Sequence, residues 1–364
     1  MSSRSTGEPA DPDGFSVEAL VKSEFAAEVV YLDTASIGLP ARRSLDALEG
    51  VLEAWRVGRA SPADYDASIA ESRKMYAAFV GVQPANVALA NQVSVFAGLV
   101  AAALPNDSEV IVVEGEFTSI VFPFMAQGRG VEVKEVPFER LAESITERTT
   151  LVAVAAVQSA DGRLVDLQAL EDATRATETE VLLDLTQAVG WLRVDASRFA
   201  YTVCAGYKWL LAPRGTCFFT VQPEFVDGLV PNNAGWYAGE YPWDSIYGGP
   251  IRLASDARRF DVSPAWHSWV AQAPALELLT EVGPKALHDH AVGLANRFRA
   301  GIDWAPSDSA IVSLGTDADV GERLARAGII GSTRVGRLRL SFHLNNTLED
   351  ADRAVEALSD VVHP

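Results

Sequence analysis

The stretch VLLDLTQAVG, residues 181–190, decides the fold of this chain together with YTVCAGYKWLL at residues 201–211. Each stretch starts with an apolar run typical of a buried strand and then breaks into small and polar residues. Asp184 closes the first run, and Lys208 follows the second. Between about residues 85 and 221, such runs alternate with amphipathic helical stretches, which predicts an α/β fold with a parallel sheet covered by helices.

Seven runs in this region are predicted strands: Val87–Ala90, Val110–Val113, Val131–Val136, Leu151–Val157, Val181–Leu185, Tyr201–Ala205 and Cys217–Val221. Apolar residues at helical spacing predict two entry helices before them, Arg43–Val57 and Ile69–Phe79. The same patterns downstream predict a small α+β region with helices His267–Glu281, Lys285–Ala300 and Leu348–Ser359 and strands Ile311–Leu314 and Arg337–Phe342.

These patterns divide the chain into four parts. We expect a disordered tail at residues 1–14, followed by an N-terminal arm at 15–40 that joins the small domain. A large domain is expected at 41–250 and a small C-terminal domain at 251–364. The large domain ends in an aromatic loop, residues 230–249, and a loop of this length is usually functional.

The composition argues against several classes of function. The 364 residues carry a formal net charge of −19, from 30 Lys and Arg against 49 Asp and Glu, so a nucleic acid or an anionic membrane would be repelled. No apolar run approaches the roughly 20 residues of a membrane span, and residues 1–14 lack the apolar core of a signal peptide. Cys204 and Cys217 are too few for a disulfide framework. We therefore expect a cytoplasmic protein without nucleic-acid or membrane partners.

Lys208 and Asp184 are the two residues whose positions most clearly suggest a chemical role. A lysine among apolar residues either extends its ammonium group to solvent or exists as a neutral amine or imine. Asp184, at the carboxyl edge of the sheet, could keep a pyridine nitrogen protonated, or could cap a helix that starts at Thr186. Because Lys208 follows the next strand, we favour the catalytic interpretation of both residues.

A third segment, Asn91 to Ser94, lies between a strand and a helix that is predicted to begin near Val95. Backbone N–H groups at Val93 and the Ser94 hydroxyl suit a phosphate at such a helix N-terminus. Ser94 as a plain N-cap explains the same turn equally well. This segment alone leaves both interpretations open.

Four segments in register resemble the class V aminotransferase family of pyridoxal 5′-phosphate enzymes, within fold-type I. They are residues 31–40 (YLDTASIGLP), 184–190 (DLTQAVG), 205–215 (AGYKWLLAPRG) and 337–347 (RLRLSFHLNNT). The resemblance covers the chain from about Tyr31 to Leu358. It implies pyridoxal 5′-phosphate as cofactor, a large domain with a mainly parallel seven-stranded sheet, a small C-terminal α+β domain, and a homodimer.

The resemblance assigns roles to individual residues. Lys208 is expected to carry the cofactor as a Schiff base and to move the proton at the substrate's α-carbon. Asp184 is expected to pair with the pyridinium nitrogen, and Gln187 to contact the phenolic oxygen of the ring. Phe117 stands where the family stacks an aromatic ring on the cofactor; many relatives have His there, so Phe117 supplies stacking but no acid or base.

The remaining cofactor contacts implied by the resemblance are less specific. Tyr207 is expected to hydrogen-bond the phosphate, as are Val93 and Ser94 at the helix N-terminus. Ser159 falls where many relatives carry Asn, which makes it a candidate for a cofactor or substrate contact.

Three residues are candidates for binding the substrate. Arg339 matches the arginine that binds the α-carboxylate, with a surface ion pair near Arg337 as the alternative. Trp236 and Tyr237, in the aromatic loop, suit a bulky substrate side chain, although the loop could equally fill a dimer interface.

Two departures from the family pattern narrow the reaction. Cysteine desulfurases of the family need a mobile-loop cysteine shortly before the closing strand, whereas residues 327–336 read AGIIGSTRVG. The stretch between Ala300 and Arg339 is also shorter than is usual in the family, which leaves fewer residues to cover the site. The aromatic loop and residues 257–266 resemble a branch with hercynylcysteine sulfoxide lyases, isopenicillin N epimerase-like proteins and natural-product lyases, in which C–S cleavage is frequent.

The sequence therefore predicts a C–S lyase that acts on an amino-acid-like substrate, an S-substituted cysteine or its sulfoxide, without a metal. Transamination and epimerisation stay open because the same carbanion precedes all three reactions. A decarboxylating enzyme and a cofactor-free binding protein are further alternatives, although a decayed site would be expected to lose Lys208, Asp184 or Gln187. No Gly-x-Gly-x-x-Gly motif follows a strand, which argues against a nicotinamide-dependent dehydrogenase.

Overall fold

A computed structural model of the chain describes residues 17–316 and 320–363, so the predicted tail at residues 1–14 lies outside the described residues. The strands are β1 (Val30–Tyr31), β2 (Val87–Ala90), β3 (Glu109–Val113), β4 (Glu132–Val136), β5 (Thr149–Ala155), β6 (Glu180–Asp184), β7 (Tyr201–Ala205), β8 (Cys217–Val221), β9 (Ile311–Thr316), β10 (Ile329–Ile330), β11 (Ser332–Arg334), β12 (Arg337–Ser341) and β13 (Val362–His363). The α-helices are α1 (Val17–Glu24), α2 (Arg42–Arg56), α3 (Asp66–Val80), α4 (Val93–Ala103), α5 (Thr118–Met125), α6 (Leu167–Thr177), α7 (Trp266–Val282), α8 (Pro284–Gly301), α9 (Val320–Ala327) and α10 (Leu348–Leu358). None of these helices is long and apolar enough to cross a membrane.

The central sheet has seven strands in the order β2-β8-β7-β6-β5-β3-β4. Its neighbours pair in parallel except for β8, which is antiparallel to both β2 and β7. In β3, Val110 and Val112 join one hydrophobic cluster, whereas Ile111 and Val113 join another. Because successive side chains of a strand point to opposite faces, the sheet is buried between α4 and α5 on one side and α3, α6 and α7 on the other. The predicted α/β fold with a mainly parallel seven-stranded sheet is confirmed.

A second, antiparallel sheet has the order β11-β12-β9-β13. Helices α8, α9 and α10 pack Phe298, Leu324 and Leu358 into a hydrophobic cluster that includes Leu340 of β12. The N-terminal segment joins this region, because β1 pairs in parallel with β10 and Asp33 bridges to Ser341. Residues 30–38 run from there to the Lys208 segment, where the Gly38 N–H donates to the Tyr207 carbonyl at 2.9 Å.

The predicted strands and helices are all present, with small shifts at their ends. The elements that the sequence analysis missed are α1, α9, β1, β10, β11 and β13. The missed strands have only two or three residues; β1, β10 and β13 pair with segments that are distant in the sequence, whereas β11 pairs with β12 directly after it. Local periodicity cannot reveal such short strands, because they contain too few alternations.

Candidate active site

A cleft lies at the carboxyl ends of the parallel strands, where open α/β sheets bind ligands. Strand β6 ends at Asp184 next to the end of β7, and Lys208 follows β7 within a single turn. The cleft holds about 730 Å³ of empty space, part of it open to solvent. It is lined by Asn91, Gln92, Val93, Phe117, Ser119, Ala155, Ser159, Asp184, Thr186, Gln187, Ala205, Tyr207, Lys208 and Arg214.

Two glycines allow the backbone to approach the lysine segment closely. A Cβ atom on Gly38 would lie 2.1 Å from the Lys208 carbonyl oxygen. A Cβ atom on Gly190 would lie 2.4 Å from the Trp209 carbonyl oxygen, and Gly190 has a φ of 120° that side chains rarely adopt. Close backbone contact at Gly38 and at Gly190 therefore helps to fix the position of the Lys208 segment.

The Lys208 side chain is buried among aromatic rings. The residue is only 5% exposed, so it does not extend into solvent. Its Nζ lies 5.4 Å from the centroid of the Phe117 ring and 5.7 Å from that of Tyr207. Burial lowers the pKa of Lys208 to about 8, against the opposing effect of Asp184. A much larger fraction of this amine than of an exposed lysine is therefore neutral near neutral pH, and the neutral amine is the form that reacts with an aldehyde.

We expect one lysine of the cofactor-free protein to titrate near pH 8. The chain has five lysines, and the other four, Lys22, Lys74, Lys134 and Lys285, are exposed. Reductive methylation with ¹³C-formaldehyde followed by NMR over a pH series measures each amine separately. The resonance that titrates near pH 8 should be absent from a Lys208→Ala sample, and a wild-type spectrum in which all five lysines titrate together would contradict the buried amine.

Asp184 is buried beside this amine, with 4% of its surface exposed. Its Oδ1 accepts a hydrogen bond from the Thr186 N–H at 2.8 Å. Burial raises the pKa of Asp184, whereas Thr186 and Lys208 act in the opposite direction. The helix that the capping alternative requires is not formed, because residues 186–190 are turns. A cationic ring nitrogen in the cleft would stabilise the ionised form of this carboxylate.

Gln187 and Arg339 meet at Ser159. Gln187 Nε2 donates to Ser159 Oγ at 3.0 Å, and Gln187 Oε1 accepts from Trp209 Nε1 at 2.8 Å. Arg339 is 1% exposed and donates to the Ser159 carbonyl, so the alternative of a surface ion pair is wrong. Arg339 does not line the cleft itself but lies directly behind Ser159, which does.

Phe117 and Tyr207 form aromatic walls of the cleft. Phe117 is 45% exposed and is held by Glu116, whose Oε1 accepts from the Phe117 N–H at 2.7 Å. The other Glu116 oxygen accepts from Gln158 Nε2 and from the Ala155 N–H, at 2.9 Å in both cases. Burial raises the pKa of Tyr207, so its hydroxyl stays protonated at neutral pH.

Ser94 and Val93 differ in their position relative to the cleft. Helix α4 begins at Val93 with Gln92 as its N-cap, so the alternative that Ser94 caps the helix is wrong. Val93 and Gln92 line the cleft, but Ser94 is not among the lining residues. The expected contact between the Ser94 hydroxyl and a phosphate is therefore not supported by its position one residue further into the helix.

Trp236 and Tyr237 do not join the cleft of their own chain. Tyr237 Oη donates to Asp66 Oδ1 at 3.2 Å, and Trp243 Nε1 donates to the other Asp66 oxygen at 2.8 Å. The Trp236 ring packs against the rings of Tyr237 and Trp243. The structure thus brings these aromatic residues together with α3 and not with Lys208, a placement that sequence spacing did not indicate.

Arg214 lines the cleft and Glu116 holds the lining residue Phe117, but the sequence had assigned neither residue to the site. The Arg214 guanidinium carbon lies 5.5 Å from the centroid of the Tyr207 ring. Arg214 belongs to the segment 205–215 that carries the family resemblance, and this segment was the available signal. Glu116 acts through Phe117, and no motif in the sequence pointed to it.

Comparisons with known proteins agree with this fold. Residues 62–320 match the family described as Aminotransferase class-V. The uncharacterized aminotransferase YcbU of Bacillus subtilis (strain 168) is 26% identical over 310 residues, which cover 79% of this chain and 82% of that protein. Isopenicillin N epimerase of Streptomyces clavuligerus is 27% identical over 385 residues, which cover 91% and 94%. The apo structure of a cysteine desulfurase from Thermococcus onnurineus NA1 superposes with a TM-score of 0.82 at 19% identity, covering 94% of this chain and 97% of that one, which shows a shared fold.

Proposed function

Since this chain belongs to the class V aminotransferase family of pyridoxal-phosphate-dependent enzymes, we propose that it is a lyase that cleaves the C–S bond of an S-substituted cysteine or its sulfoxide. We also propose that it belongs to the branch of the family with hercynylcysteine sulfoxide lyases and isopenicillin N epimerase-like proteins. It would act in a natural-product or other small-molecule pathway. The similarity to isopenicillin N epimerase over 91% of this chain supports that branch.

The cleft residues fit pyridoxal 5′-phosphate. Lys208 offers a buried amine of lowered pKa for covalent attachment, and Asp184 offers a buried carboxylate for the pyridine nitrogen. Phe117, Val93 and Arg214 all line the cleft. Phe117 would stack on the ring, and the backbone at Val93 and the Arg214 guanidinium suit the phosphate. When bound, the cofactor withdraws electrons from the substrate's α-carbon and makes its proton acidic.

The observation that carries the proposal is that Lys208 is the one available base among the described residues of the cleft. Asp184 is committed to the ring nitrogen, Tyr207 stays protonated, and the Arg214 guanidinium is a poor base. A single base is sufficient for elimination, because a thiolate or sulfenate leaves without help from an acid. Epimerisation by two bases would require a second base across the cleft, where Phe117 stands instead.

The chain's own groups perform a short sequence of steps in this reaction. Arg339, behind Ser159, orients the substrate's α-carboxylate, and Lys208 Nζ accepts the α-proton. The C–S bond then breaks, and the sulfur departs with the bonding electron pair as a thiolate or sulfenate. The released 2-aminoacrylate hydrolyses to pyruvate and ammonia.

A persulfide-forming desulfurase does not fit the cysteines of this chain. Cys204 and Cys217 are both buried, free thiols on central strands β7 and β8. Residues 327–336 contain no cysteine. The chain therefore lacks a mobile thiol that could take sulfur from a substrate, and elimination releases the sulfur directly.

Turnover of S-ethylcysteine and its sulfoxide, without a keto acid, tests the proposal. We expect equal amounts of pyruvate and released ethyl sulfur over many turnovers. An aminotransferase, the second candidate because of the similarity to YcbU, would stop after one turnover until a keto acid was added. An epimerase would release no sulfur and would form the opposite enantiomer, which chiral chromatography detects.

Truncation of Phe117 is expected to weaken cofactor binding. Phe117→Ala removes a stacking contact worth about 1 kcal/mol, which corresponds to a roughly five-fold higher dissociation constant for pyridoxal 5′-phosphate. Quenching of tryptophan fluorescence during titration of the cofactor-free protein measures this constant. Phe122→Ala serves as the matched control, since Phe122 is 60% exposed on the neighbouring helix and does not line the cleft; equal effects of the two variants would argue against stacking by Phe117.

We further propose that the protein is a cytoplasmic homodimer. The aromatic loop and the residues after it expose Tyr241, Tyr247 and Ile251 to 64%, 93% and 77%. Apolar side chains exposed together are typical of interaction surfaces. Light scattering on the purified protein should give twice the mass of 39.0 kDa, whereas a monomer at micromolar concentration would contradict this part of the proposal.

A further inference from the structure

Two arginine side chains converge on one serine hydroxyl beside the cleft. Arg334 and Arg339 each donate from a guanidinium nitrogen to Ser36 Oγ, at 2.7 Å in both cases. Arg334 lies on β11, and Arg339 lies on the adjacent strand β12. The two cations thus lie side by side at Ser36, a residue of the segment in which Gly38 lies against the Lys208 backbone.

The positive charge of this pair is poorly balanced. Arg339 has one carboxylate nearby, Asp33 at 3.6 Å, and that carboxylate already accepts from Ser332 Oγ at 2.7 Å. Arg334 donates to the Thr333 carbonyl and to Ser36, with no carboxylate within ion-pair distance among the described residues. Two neighbouring cations with one partner repel each other, and a bound anion would relieve this repulsion. Such a surplus is notable in a chain with a net charge of −19.

The arginine pair lies close enough to the reacting amine to affect its charge. Arg339 reaches the cleft through Ser159, a lining residue. Arg339 and Arg334 both lower the pKa of Lys208, after the larger effect of burial. Arg339 is buried, whereas Arg334 is exposed. The buried guanidinium can therefore hold the group nearest to the α-carbon, and the exposed guanidinium can meet a part of the substrate that extends further out.

We propose that Arg334, together with Ser36, determines specificity by binding a second anionic group, a carboxylate on the sulfur substituent of the substrate. This inference rests on the proposed C–S lyase function and narrows its substrate class to cysteine conjugates with an acidic side arm. Arg339 serves the α-carboxylate, and Arg334 serves the distal carboxylate. A guanidinium is well suited to this task because it binds a carboxylate with two parallel hydrogen bonds.

The test compares an acidic substrate with its neutral, nearly isosteric amide. Holoenzyme is assayed for pyruvate from S-(2-carboxyethyl)cysteine and from the corresponding carboxamide. We expect the wild type to prefer the acid, and Arg334→Gln to lower kcat/KM for the acid by about 10- to 100-fold, mainly through KM, as the loss of hydrogen bonds to a charged group predicts. The amide should change by less than about three-fold, within the effect of a surface substitution.

Arg337→Gln is the matched control. Arg337 is the residue of β12 paired with Arg334, but its guanidinium donates to Ser313 Oγ and to the Ser313 carbonyl and not to Ser36. This variant should leave the preference for the acid unchanged. An equal loss for acid and amide in Arg334→Gln would mean that Arg334 serves the α-carboxylate, and would overturn the proposal, as would a wild type that does not distinguish acid from amide.

A binding measurement separates this inference from the lyase function. If neither substrate yields pyruvate, the lyase proposal fails, and calorimetry of holoenzyme with hexanedioate and hexanoate still tests the anion site. Tighter binding of the dicarboxylate, lost in Arg334→Gln but kept in Arg337→Gln, would support the second anion site. Equal affinity for the two acids would overturn it.

Discussion

Lys208→Ala is expected to lower the rate of C–S cleavage by about 10⁴-fold, because the variant loses both the base for the α-proton and the covalent anchor of the cofactor. The neighbouring contacts explain why no other group replaces it. Phe117 and Tyr207 surround the amine, and neither accepts a proton at neutral pH. Pyruvate formation with saturating pyridoxal 5′-phosphate measures the loss.

Two controls separate a catalytic loss from a loss of structure. Lys134→Ala removes an exposed lysine of an edge strand and should keep full activity. A small primary amine added to Lys208→Ala should restore part of the rate, since the space left by the side chain opens into the cleft. A Lys208→Ala enzyme that retained more than about a tenth of the wild-type rate would contradict the role of Lys208 as the base.

Asp184→Asn is expected to lower the rate by about 10²- to 10³-fold, the effect of removing one preorganised electrostatic contact from an active site. The substitution keeps the shape of the side chain and an oxygen that can accept from the Thr186 N–H. It removes the negative charge that favours a protonated ring nitrogen. Steady-state pyruvate formation measures the rate, and circular dichroism verifies the fold.

Asp195→Asn is the matched control for this substitution. Asp195 Oδ1 accepts from the Ser197 N–H at 3.0 Å, the same contact with the residue two positions further along that Asp184 makes. Asp195 does not line the cleft, so its variant should keep the wild-type rate. If the two variants lost activity equally, the effect would come from the turn and not from the charge near the cofactor.

The central sheet could be predicted from the sequence because most of its strands are short apolar runs, and because its edge strand β4 (EVKEV) alternates polar and apolar residues. The burial of Val110 to Val113 on both faces of the sheet is the physical cause of the apolar runs. The pairing of β1 with β10 could not be predicted in the same way. It joins Val30 to Ile329, and two residues carry no periodicity.

The residues of the candidate site could likewise be placed from the sequence only in part. Lys208 and Asp184 could be placed together because each follows a strand, and adjacent parallel strands end at the same edge of a sheet. Trp236 and Tyr237 could not be placed, because the path of a loop depends on tertiary contacts such as the hydrogen bond from Tyr237 to Asp66. The convergence of Arg334 and Arg339 on Ser36 also escapes sequence reasoning, since it joins segments about three hundred residues apart.

Borohydride reduction of the holoenzyme followed by peptide mapping tests most directly whether Lys208 carries the cofactor. Reduction fixes the cofactor to whichever lysine holds it, and mass spectrometry then locates the added pyridoxyl phosphate. With five lysines in the chain, the assignment is unambiguous. We expect the modification on Lys208, in the peptide that contains Trp209, and on no other lysine. A modification on another lysine, or a holoenzyme with no modified peptide, would contradict it.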